Sequence, residues 1–523
     1  MTAGRTIARA GLIVSATFLA SRLLGWVRLL VIANTFGASP QLDAFFAAFR
    51  IPDLIFQLVA AGALGSALIP IVSGLLASEQ QARAWRVVST VANLMLVGLL
   101  ILAVVLFVAA PVVVPLITPT FDPAEMSRTI ELTRIMLLSP IFLALGSVAT
   151  SVLNAAGRFA AAAVAPVVYN LAIIGAAVVL APTFGVEGLA VGVVLGSLLH
   201  LVVQATSIRR LGFAYAPRID LADGDARTAL KLMAPRALGL GATQVTFVVV
   251  TSLASTLGAG AITAYNVAFT LLQIPIGVIG VPLGTVVFPS LSREVALGNV
   301  AEYLSLLTRA VRLLIYTMVP IGALFAVLRR PVVEVLFPKF NPAAIALTAD
   351  TLLLFLVGLT AHALIAVLAR AFYARQDTRT PVLAAVLAVV VNTTLAIVLV
   401  GPLGLPGIAL AIAIAAWIEA LVLFALLERL LPGFGLRGLA RVAVESLLGT
   451  ATGTAAALVT QATLERTIGA SPGRLLLTAE GIVVAIVFGL VYVAVSLVLR
   501  IPELPTIVGV MTDLLRRGAA RRS

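Results

Sequence analysis

Two arginines, Arg22 and Arg28, lie inside the first long apolar run of the chain, residues 12–36. An arginine at the centre of a membrane helix costs roughly 2.5–3.5 kcal/mol on insertion scales, so such residues usually face a wet or protein-lined interior. Six residues separate the pair by about 9 Å along a helix and about 120° around it, which lets both side chains reach one large group. Because guanidinium groups fit phosphate, the pair predicts an anionic cargo, best matched by a pyrophosphate. The alternative is a structural ion pair with a neighbouring acid.

The second apolar run carries an acid and a further arginine. Asp43 and Arg50 are seven residues apart, on almost the same face of a helix. We predict that both belong to the substrate-binding site, with Asp43 orienting an arginine or helping to open and close the outer mouth. Pro52, Gly62 and Gly65 weaken the same helix, so we predict a bent span that acts as a gate. Ordinary packing of small residues is the alternative explanation.

Other residues that could do chemistry give weaker signals. Glu419 is a carboxylate inside an apolar stretch and is the best candidate for proton coupling. With two histidines and no cysteine, the chain lacks the ligands of a conventional zinc site and cannot form a disulfide. A glycine-rich phosphate loop before a lysine is also missing from the sequence. The sequence therefore predicts neither a metal site, nor a cofactor, nor an enzyme.

The elements that must position these residues are membrane helices. Of the 523 residues, 61% are hydrophobic and only 11% are charged, and the mean hydropathy is +1.15. These values exclude a soluble globular protein, in which about 25% of residues are charged. The long apolar runs favour helices over barrel strands and predict an all-α polytopic membrane protein with about fourteen spans. The predicted spans are 12–36, 42–77, 87–110, 131–156, 160–181, 186–208, 232–257, 262–291, 305–328, 344–372, 381–400, 405–427, 439–463 and 475–499.

The charges of the connecting segments set the predicted orientation. Lys and Arg are concentrated in alternate loops and in both terminal segments, which the positive-inside rule places in the cytoplasm. The first apolar run is too long and too interrupted by arginine for a cleaved signal peptide, so we expect it to remain as the first helix. The net charge of +13 follows from this loop bias and from contact with anionic lipid headgroups. We therefore do not expect nucleic acid to be a partner.

The chain also contains an internal duplication. Gly65-Ser-Ala-Leu-Ile-Pro-Ile-Val-Ser73 resembles Gly284-Thr-Val-Val-Phe-Pro-Ser-Leu-Ser292, and Gly185-Val-Glu-Gly-Leu-Ala190 resembles Gly404-Leu-Pro-Gly-Ile-Ala409. The offset of about 220 residues predicts two parallel-repeat lobes of six helices each. We assign residues 1–215 to the first lobe, 216–432 to the second, and 433–523 to two additional helices with a basic tail. Transporters of this design usually hold the substrate between the lobes, although a duplication kept for packing alone is the alternative.

Five segments together resemble the MurJ (MviN) lipid II flippase family of the multidrug/oligosaccharidyl-lipid/polysaccharide exporter superfamily. The segments are Ser21-Arg-Leu-Leu-Gly-Trp-Val-Arg28, Asp43-Ala-Phe-Phe-Ala-Ala-Phe-Arg-Ile-Pro-Asp53, Gly62-Ala-Leu-Gly-Ser-Ala-Leu-Ile-Pro70, Leu283-Gly-Thr-Val-Val-Phe-Pro-Ser-Leu-Ser292 and Phe372-Tyr-Ala-Arg-Gln-Asp-Thr-Arg-Thr-Pro381. The resemblance covers nearly the whole chain, including the two additional C-terminal spans.

The resemblance implies a multi-pass protein of the bacterial inner membrane that moves lipid II, the undecaprenyl-pyrophosphate-linked peptidoglycan precursor, to the outer leaflet by alternating access. It also implies a role in cell-wall biogenesis and cell shape, with wall-synthesis and division proteins as partners. Arg22 and Arg28 match the family's first-helix arginines, and Asp43 matches its second-helix acid. In the family the last two helices form a groove for the lipid tail, and transport is linked to membrane potential or ions.

The chain departs from the family's pattern at several positions. Phe56 and Gln57 stand where a basic residue is common, Ala61 stands where an acid is usual, and Thr270 replaces an expected arginine. The predicted cavity thus retains mainly Arg22, Arg28 and Arg50. Two alternatives to lipid II transport follow: an exporter of another polyprenyl-linked glycan or an amphipathic drug, and a non-transporting scaffold in cell-wall synthesis.

Overall fold

A computed structural model of the chain describes residues 2–59, 63–433, 436–468, 473–506 and 509. Every regular element in these ranges is a helix, and no strand occurs in them. The predicted all-α class is therefore confirmed. The helices divide into two compact units.

The first unit comprises Met1–Thr263 together with Lys339–Asn341. Its helices are α1 (Thr2–Phe36), α2 (Pro40–Val59), α3 (Ala63–Ala77), α4 (Gln81–Ile117), α5 (Pro123–Met136), α6 (Ser139–Ala155), α7 (Phe159–Val179), α8 (Ala181–Arg209) and α9 (Gly224–Ser255).

The second unit comprises Ala264–Pro338 and Pro342–Ser523. Its helices are α10 (Ala261–Pro275), which begins in the first unit, α11 (Val281–Ala296), α12 (Val300–Val327), α13 (Arg329–Leu336), α14 (Pro342–Val357), α15 (Leu359–Ala374), α16 (Arg379–Leu403), α17 (Leu405–Leu430), α18 (Leu436–Ile468) and α19 (Arg474–Val498). A π-helical turn, Ile276–Gly280, joins α10 to α11. The units follow packing, whereas the predicted boundaries at 215 and 432 follow the repeat, so those boundaries remain predictions.

Most of the predicted spans coincide with helices that can cross a membrane. Within the described residues, ten helices are long and apolar enough, and the pair α14 and α15, bent by 44°, would make eleven. The other three predicted spans fall on α1, on α2 with α3, and on α9. The chain is therefore a multi-pass membrane protein, and the count of fourteen spans remains a prediction.

The repeat found in the sequence has a counterpart in the backbone of each unit. Gly185, at the start of α8, has φ 59° and ψ −143°, and Gly404, before α17, has φ 62° and ψ −141°. Three residues later, a Cβ on Gly188 would meet the carbonyl of Leu180, and a Cβ on Gly407 would meet the carbonyl of Leu399. The same glycine-dependent backbone turn therefore occurs twice, at Gly185 and at Gly404, and we call each occurrence a joint.

The segment between α8 and α9, residues 210–223, packs along α4. The side-chain amide of Asn93 donates to the carbonyls of Ala216 and Arg218, at 2.9 Å each, and its oxygen accepts from the Tyr215 hydroxyl at 2.6 Å. Arg83 forms ion pairs with Asp223 and Asp225 at 3.2 and 2.9 Å. This polar connecting segment is therefore held against α4.

The two C-terminal helices of the second unit pack on each other and on α12. The hydroxyl of Tyr316 on α12 donates to Ser496 on α19 at 3.0 Å, and the hydroxyl of Tyr492 donates to the Tyr316 carbonyl at 2.7 Å. Arg312, also on α12, pairs with Glu503 at 2.6 Å. These buried polar contacts fix the additional helices to the body of their unit.

Candidate functional site

The first arginine of the site is positioned by the contact between α1 and α7. The guanidinium carbon of Arg28 lies 5.8 Å from the centroid of the Tyr169 ring, a cation–π geometry. The next residue, Asn170, is buried, and its amide donates to the Pro166 carbonyl at 2.9 Å and to the Ser21 carbonyl at 3.5 Å. Helix α7 therefore orients the Arg28 face of α1.

The second arginine is positioned by the contact between α2 and α9. The Nε of Arg50 donates to the Thr251 hydroxyl at 3.0 Å, and its guanidinium carbon lies 5.4 Å from the Phe247 ring centroid. Thr251 in turn donates to the Phe247 carbonyl at 2.8 Å. A hydroxyl and a ring face, one turn apart on α9, hold the guanidinium in place.

A carboxylate, Asp53, lies in the neighbourhood of these two arginines. Asp53 follows Arg50 by three residues on α2, so the two side chains share a face of the helix. Its charge interacts with those of Arg50 and Arg28, and it is hydrogen-bonded with the side-chain amides of Gln57 and Gln244. The structure therefore brings together charged groups from α1 and α2 and an amide from α9. We refer to Arg28, Arg50, Asp53, Gln57 and Gln244 as the arginine cluster.

The sequence analysis did not assign a role to Asp53 or Tyr169. An acid three residues after an arginine, inside an apolar helix, is a signal that could have identified Asp53. Tyr169 carries no such signal, because its relation to Arg28 depends on the packing of α7 against α1.

The other predicted first-helix arginine lies elsewhere on α1. Arg22 is exposed, one and two-thirds turns before Arg28 and about 9 Å from it along the helix axis. Arg22 is thus an exposed residue of α1, whereas Arg28 faces α7.

Asp43, at the start of α2, has a well-defined structural environment. Its carboxylate is 1% exposed and accepts three hydrogen bonds: from the Gly260 amide at 2.6 Å, from the Thr263 amide at 2.7 Å, and from the Thr263 hydroxyl at 2.6 Å. These donors lie at the N-terminus of α10, where an acid satisfies free N–H groups and the helix dipole. Asp43 thus fastens α2 to the start of α10 and lies about two turns from Arg50 along α2.

The backbone around Asp43 also requires glycine. Gly260 has φ +83°, and a Cβ there would lie 3.0 Å from the carbonyl oxygen of Ala38. On the other side, Ser39 accepts from the Leu42 amide at 3.3 Å and so caps α2, with Pro40 in the first helical position. The starts of α2 and α10 therefore approach closely enough for a carboxylate on α2 to accept hydrogen bonds from the start of α10.

The remaining predicted site residues are dispersed. Pro52 is buried within α2, which continues to Val59, and Gly65 belongs to α3. Gly62 and Ala61 lie outside the described residues. In the second unit, Glu419 on α17 is partly buried and interacts electrostatically with Tyr373 on α15, which is also close to Arg370.

Three neutral residues stand at positions where this sequence lacks a charge that the sequence analysis expected, and each has defined contacts. Phe56 packs on the hydrophobic core of the first unit, whereas Gln57 belongs to the arginine cluster. Thr270 donates to the Asn266 carbonyl of its own helix at 2.7 Å. None of these three side chains supplies a positive charge.

Solved structures with this fold include two kinds of transporter. The chain aligns with a structure titled lipid II flippase MurJ in an inward closed conformation, with a TM-score of 0.78 and 22% identity, covering 93% of this chain and 98% of the other. An inward-facing multidrug resistance MATE family transporter of the MOP superfamily gives a TM-score of 0.65 at 19% identity, with 79% and 95% coverage. These likenesses show the fold.

Sequence comparison is more specific. A probable lipid II flippase MurJ of Rhizobium meliloti is 32% identical over 425 residues, with 79% of each chain covered. A lipid II flippase MurJ of Burkholderia cenocepacia is 32% identical over 426 residues, with 80% of this chain and 83% of the relative covered. The family model described as lipid II flippase MurJ matches residues 32–472. The chain therefore belongs to the MurJ family of lipid II flippases.

Proposed function

We propose that this protein translocates lipid II from the cytoplasmic to the outer leaflet by alternating access, without catalysing a covalent reaction. Family membership supports the substrate class. The observation that carries the proposal is the placement of two guanidinium groups in the first unit: Arg28 on α1 lies over the Tyr169 ring, and Arg50 on α2 donates to Thr251 and lies over the Phe247 ring. A guanidinium group presents a planar fork of donors that fits phosphate oxygens, and a pyrophosphate offers enough acceptor oxygens for both groups.

The proposed binding steps follow from the placement of the side chains. Arg28 and Arg50 are held by a ring, a hydroxyl and a helix contact, so little side-chain freedom is lost when they bind the pyrophosphate. Arg22, exposed on the same helix as Arg28, would meet the incoming headgroup first. The order Arg22, Arg28, Arg50 then describes a path of positive charge through the first unit.

We also infer roles for the other predicted residues. Asp43 would keep the outer side closed while its three hydrogen bonds to the start of α10 persist, and opening would require their loss. Bending of the second span near Pro52, Gly62 and Gly65 would accompany that change. Glu419 remains our candidate for ion coupling. We place the protein in the bacterial inner membrane with both termini in the cytoplasm, where wall-synthesis and division proteins would be its partners.

Complementation tests the proposal. Cells depleted of their own lipid II flippase should grow with the wild-type protein and with Arg309→Ala, which removes an exposed arginine that pairs with Glu302 on α12. Arg28→Ala and Arg22→Ala should each reduce rescue at least about tenfold in plating efficiency, because a charged hydrogen bond to substrate contributes about 1.5–3 kcal/mol. Full rescue by both variants, at normal membrane levels, would exclude the proposed role of these arginines, and failure of the wild-type protein to restore growth would exclude the function itself.

A further inference from the structure

The segment between α8 and α9, residues 210–223, is held at a definite depth along α4. The large apolar side chains exposed on α4 begin at Val97 and end at Leu116, a length of about 28 Å that matches the roughly 30 Å of bilayer hydrocarbon. Asn93, which donates to the Arg218 carbonyl at 2.9 Å, lies about 6 Å before Val97 along the helix. The headgroup layer adds about 5–7 Å on each side of the hydrocarbon, so the segment lies at headgroup level.

Helix α8 leads to a similar depth on independent grounds. Its last exposed large apolar side chain is Val202, and the helix ends at Arg209, about 10 Å further along its axis. Arginines just outside the hydrocarbon can lay their apolar stems toward it while the guanidinium groups remain among the phosphates. Both helices that border the segment therefore place it at the surface of the membrane and not far out in the water.

The exposed side chains of the segment suit a layer of anionic headgroups. Tyr215, Ile219 and Leu221 are each about half exposed. Tyrosine is enriched at membrane interfaces, where its ring and hydroxyl meet both apolar and polar surroundings. Arg210 and Arg218 are exposed, and within the ranges that the structure describes neither pairs with an acid. Apolar groups and unpaired positive charges thus alternate along one short stretch.

We propose that residues 209–221, which we call the headgroup surface, dock on anionic phospholipids, with Arg210 and Arg218 binding their phosphates. Charge complementarity favours this occupant, because the stretch contains three arginines and one aspartate, a net charge of +2. An anionic leaflet attracts each basic residue near it by a factor of about five. The inference is independent of the proposed function, since none of these residues belongs to the arginine cluster.

The lack of cysteine in the sequence allows the contact to be measured at one site. Ala214→Cys, at an exposed position within the headgroup surface, can carry a fluorophore in the full-length protein. We would reconstitute it in nanodiscs of phosphatidylcholine with a small, equal fraction of brominated phosphatidylglycerol or brominated phosphatidylcholine, because bromine quenches only nearby labels. Phosphatidylglycerol should quench several-fold more strongly, since two arginines favour an anionic headgroup near the label.

Three variants of the labelled protein separate charge from depth. Arg210→Gln combined with Arg218→Gln should abolish the preference for phosphatidylglycerol, so that both lipids quench equally. Arg309→Gln, which removes an exposed arginine of α12, should leave the preference unchanged. Asn93→Leu retains every arginine but removes the hydrogen bonds that hold the segment on α4, so quenching by both lipids should fall.

Two results would overturn the inference. Quenching by aqueous iodide but by neither lipid would show that the segment lies in water, where a soluble partner would have to cover it. Equal quenching of the unsubstituted protein by the two lipids would show contact with the membrane without recognition of charge. A preference that is lost in the double arginine variant and kept in Arg309→Gln, at unchanged thermal stability, supports the headgroup surface whatever cargo the protein carries.

Discussion

Arg134 illustrates how a single charged side chain can stabilise a proline-containing membrane helix. Pro111 in α4 has no N–H, so it cannot donate to the carbonyl of Phe107 four residues earlier. The Nε of Arg134 on α5 donates to that carbonyl at 3.0 Å, and its guanidinium carbon lies 4.8 Å from the Phe107 ring centroid. An arginine from a neighbouring helix thus replaces the missing backbone donor.

This arrangement predicts coupling between Arg134 and Pro111. Arg134→Met should lower the free energy of unfolding by about 1–3 kcal/mol, because the Phe107 carbonyl loses the side-chain donor that replaces the backbone N–H. In a Pro111→Ala background, where the backbone N–H is restored, the same substitution should cost clearly less. Denaturant titration in detergent measures both costs. Equal values in the two backgrounds would show that Arg134 does not stabilise the protein by replacing the N–H that Pro111 lacks.

At the same scale, the sequence predicts some site residues and not others. A charge within an apolar run is visible without a structure, which is why Arg28 and Arg50 are recognisable candidates. Asp53 interacts with Arg28 on another helix and with Gln244 on a third, and such relations arise only when the helices pack. The partners of Asp43 likewise lie 217 and 220 residues away along the chain, at the start of α10.

Among the elements, the segment 210–223 is the one whose ordering contacts the sequence predicts least well. Its polar residues predict a connecting loop, but the partners that order it lie on α4, more than 120 residues earlier in the chain.

Burial alone would raise the pKa of Asp223, yet hydrogen bonds from the amides of Asp225 and Ala226 and from Arg83 hold that pKa below its ordinary value. The ionised form is therefore part of the folded connection.

Loss of Asn93 should release this connecting segment. Asn93→Leu removes two donated hydrogen bonds and one accepted bond, whereas Tyr215→Phe removes only the last. We expect trypsin to cleave the Asn93→Leu protein after Arg218 about tenfold faster than wild type, because local opening becomes easier by about 1–2 kcal/mol. Tyr215→Phe should have a smaller effect. If Asn93→Leu and wild type are cleaved at the same rate, the amide does not hold the segment.

For the whole molecule, the duplication is the feature that sequence comparison predicts best. The motifs that repeat most clearly are those in which glycine is required by the backbone, such as Gly185 and Gly404 at positive φ. Apolar positions in a membrane helix accept many residues, so they preserve little trace of a repeat. The boundary between packed units, near residue 263, leaves no such mark, because it depends on which helices contact one another.

The repeated joint predicts equal and independent effects of mutation in the two units. Any L-residue at φ near +60° and ψ near −142° is strained, so Gly185→Ala and Gly404→Ala should each lower the free energy of unfolding by about 1–3 kcal/mol. Because the two sites lie in different units and share no partner in the described residues, the double variant should lose about the sum of both costs. Gly175→Ala and Gly401→Ala, whose added Cβ atoms would meet open space at ordinary helical φ, provide matched controls and should cost little. Thermal unfolding in one detergent measures the whole series. A large cost at only one of the two joints would mean that the repeated sequence motif does not require glycine for its backbone conformation in both units.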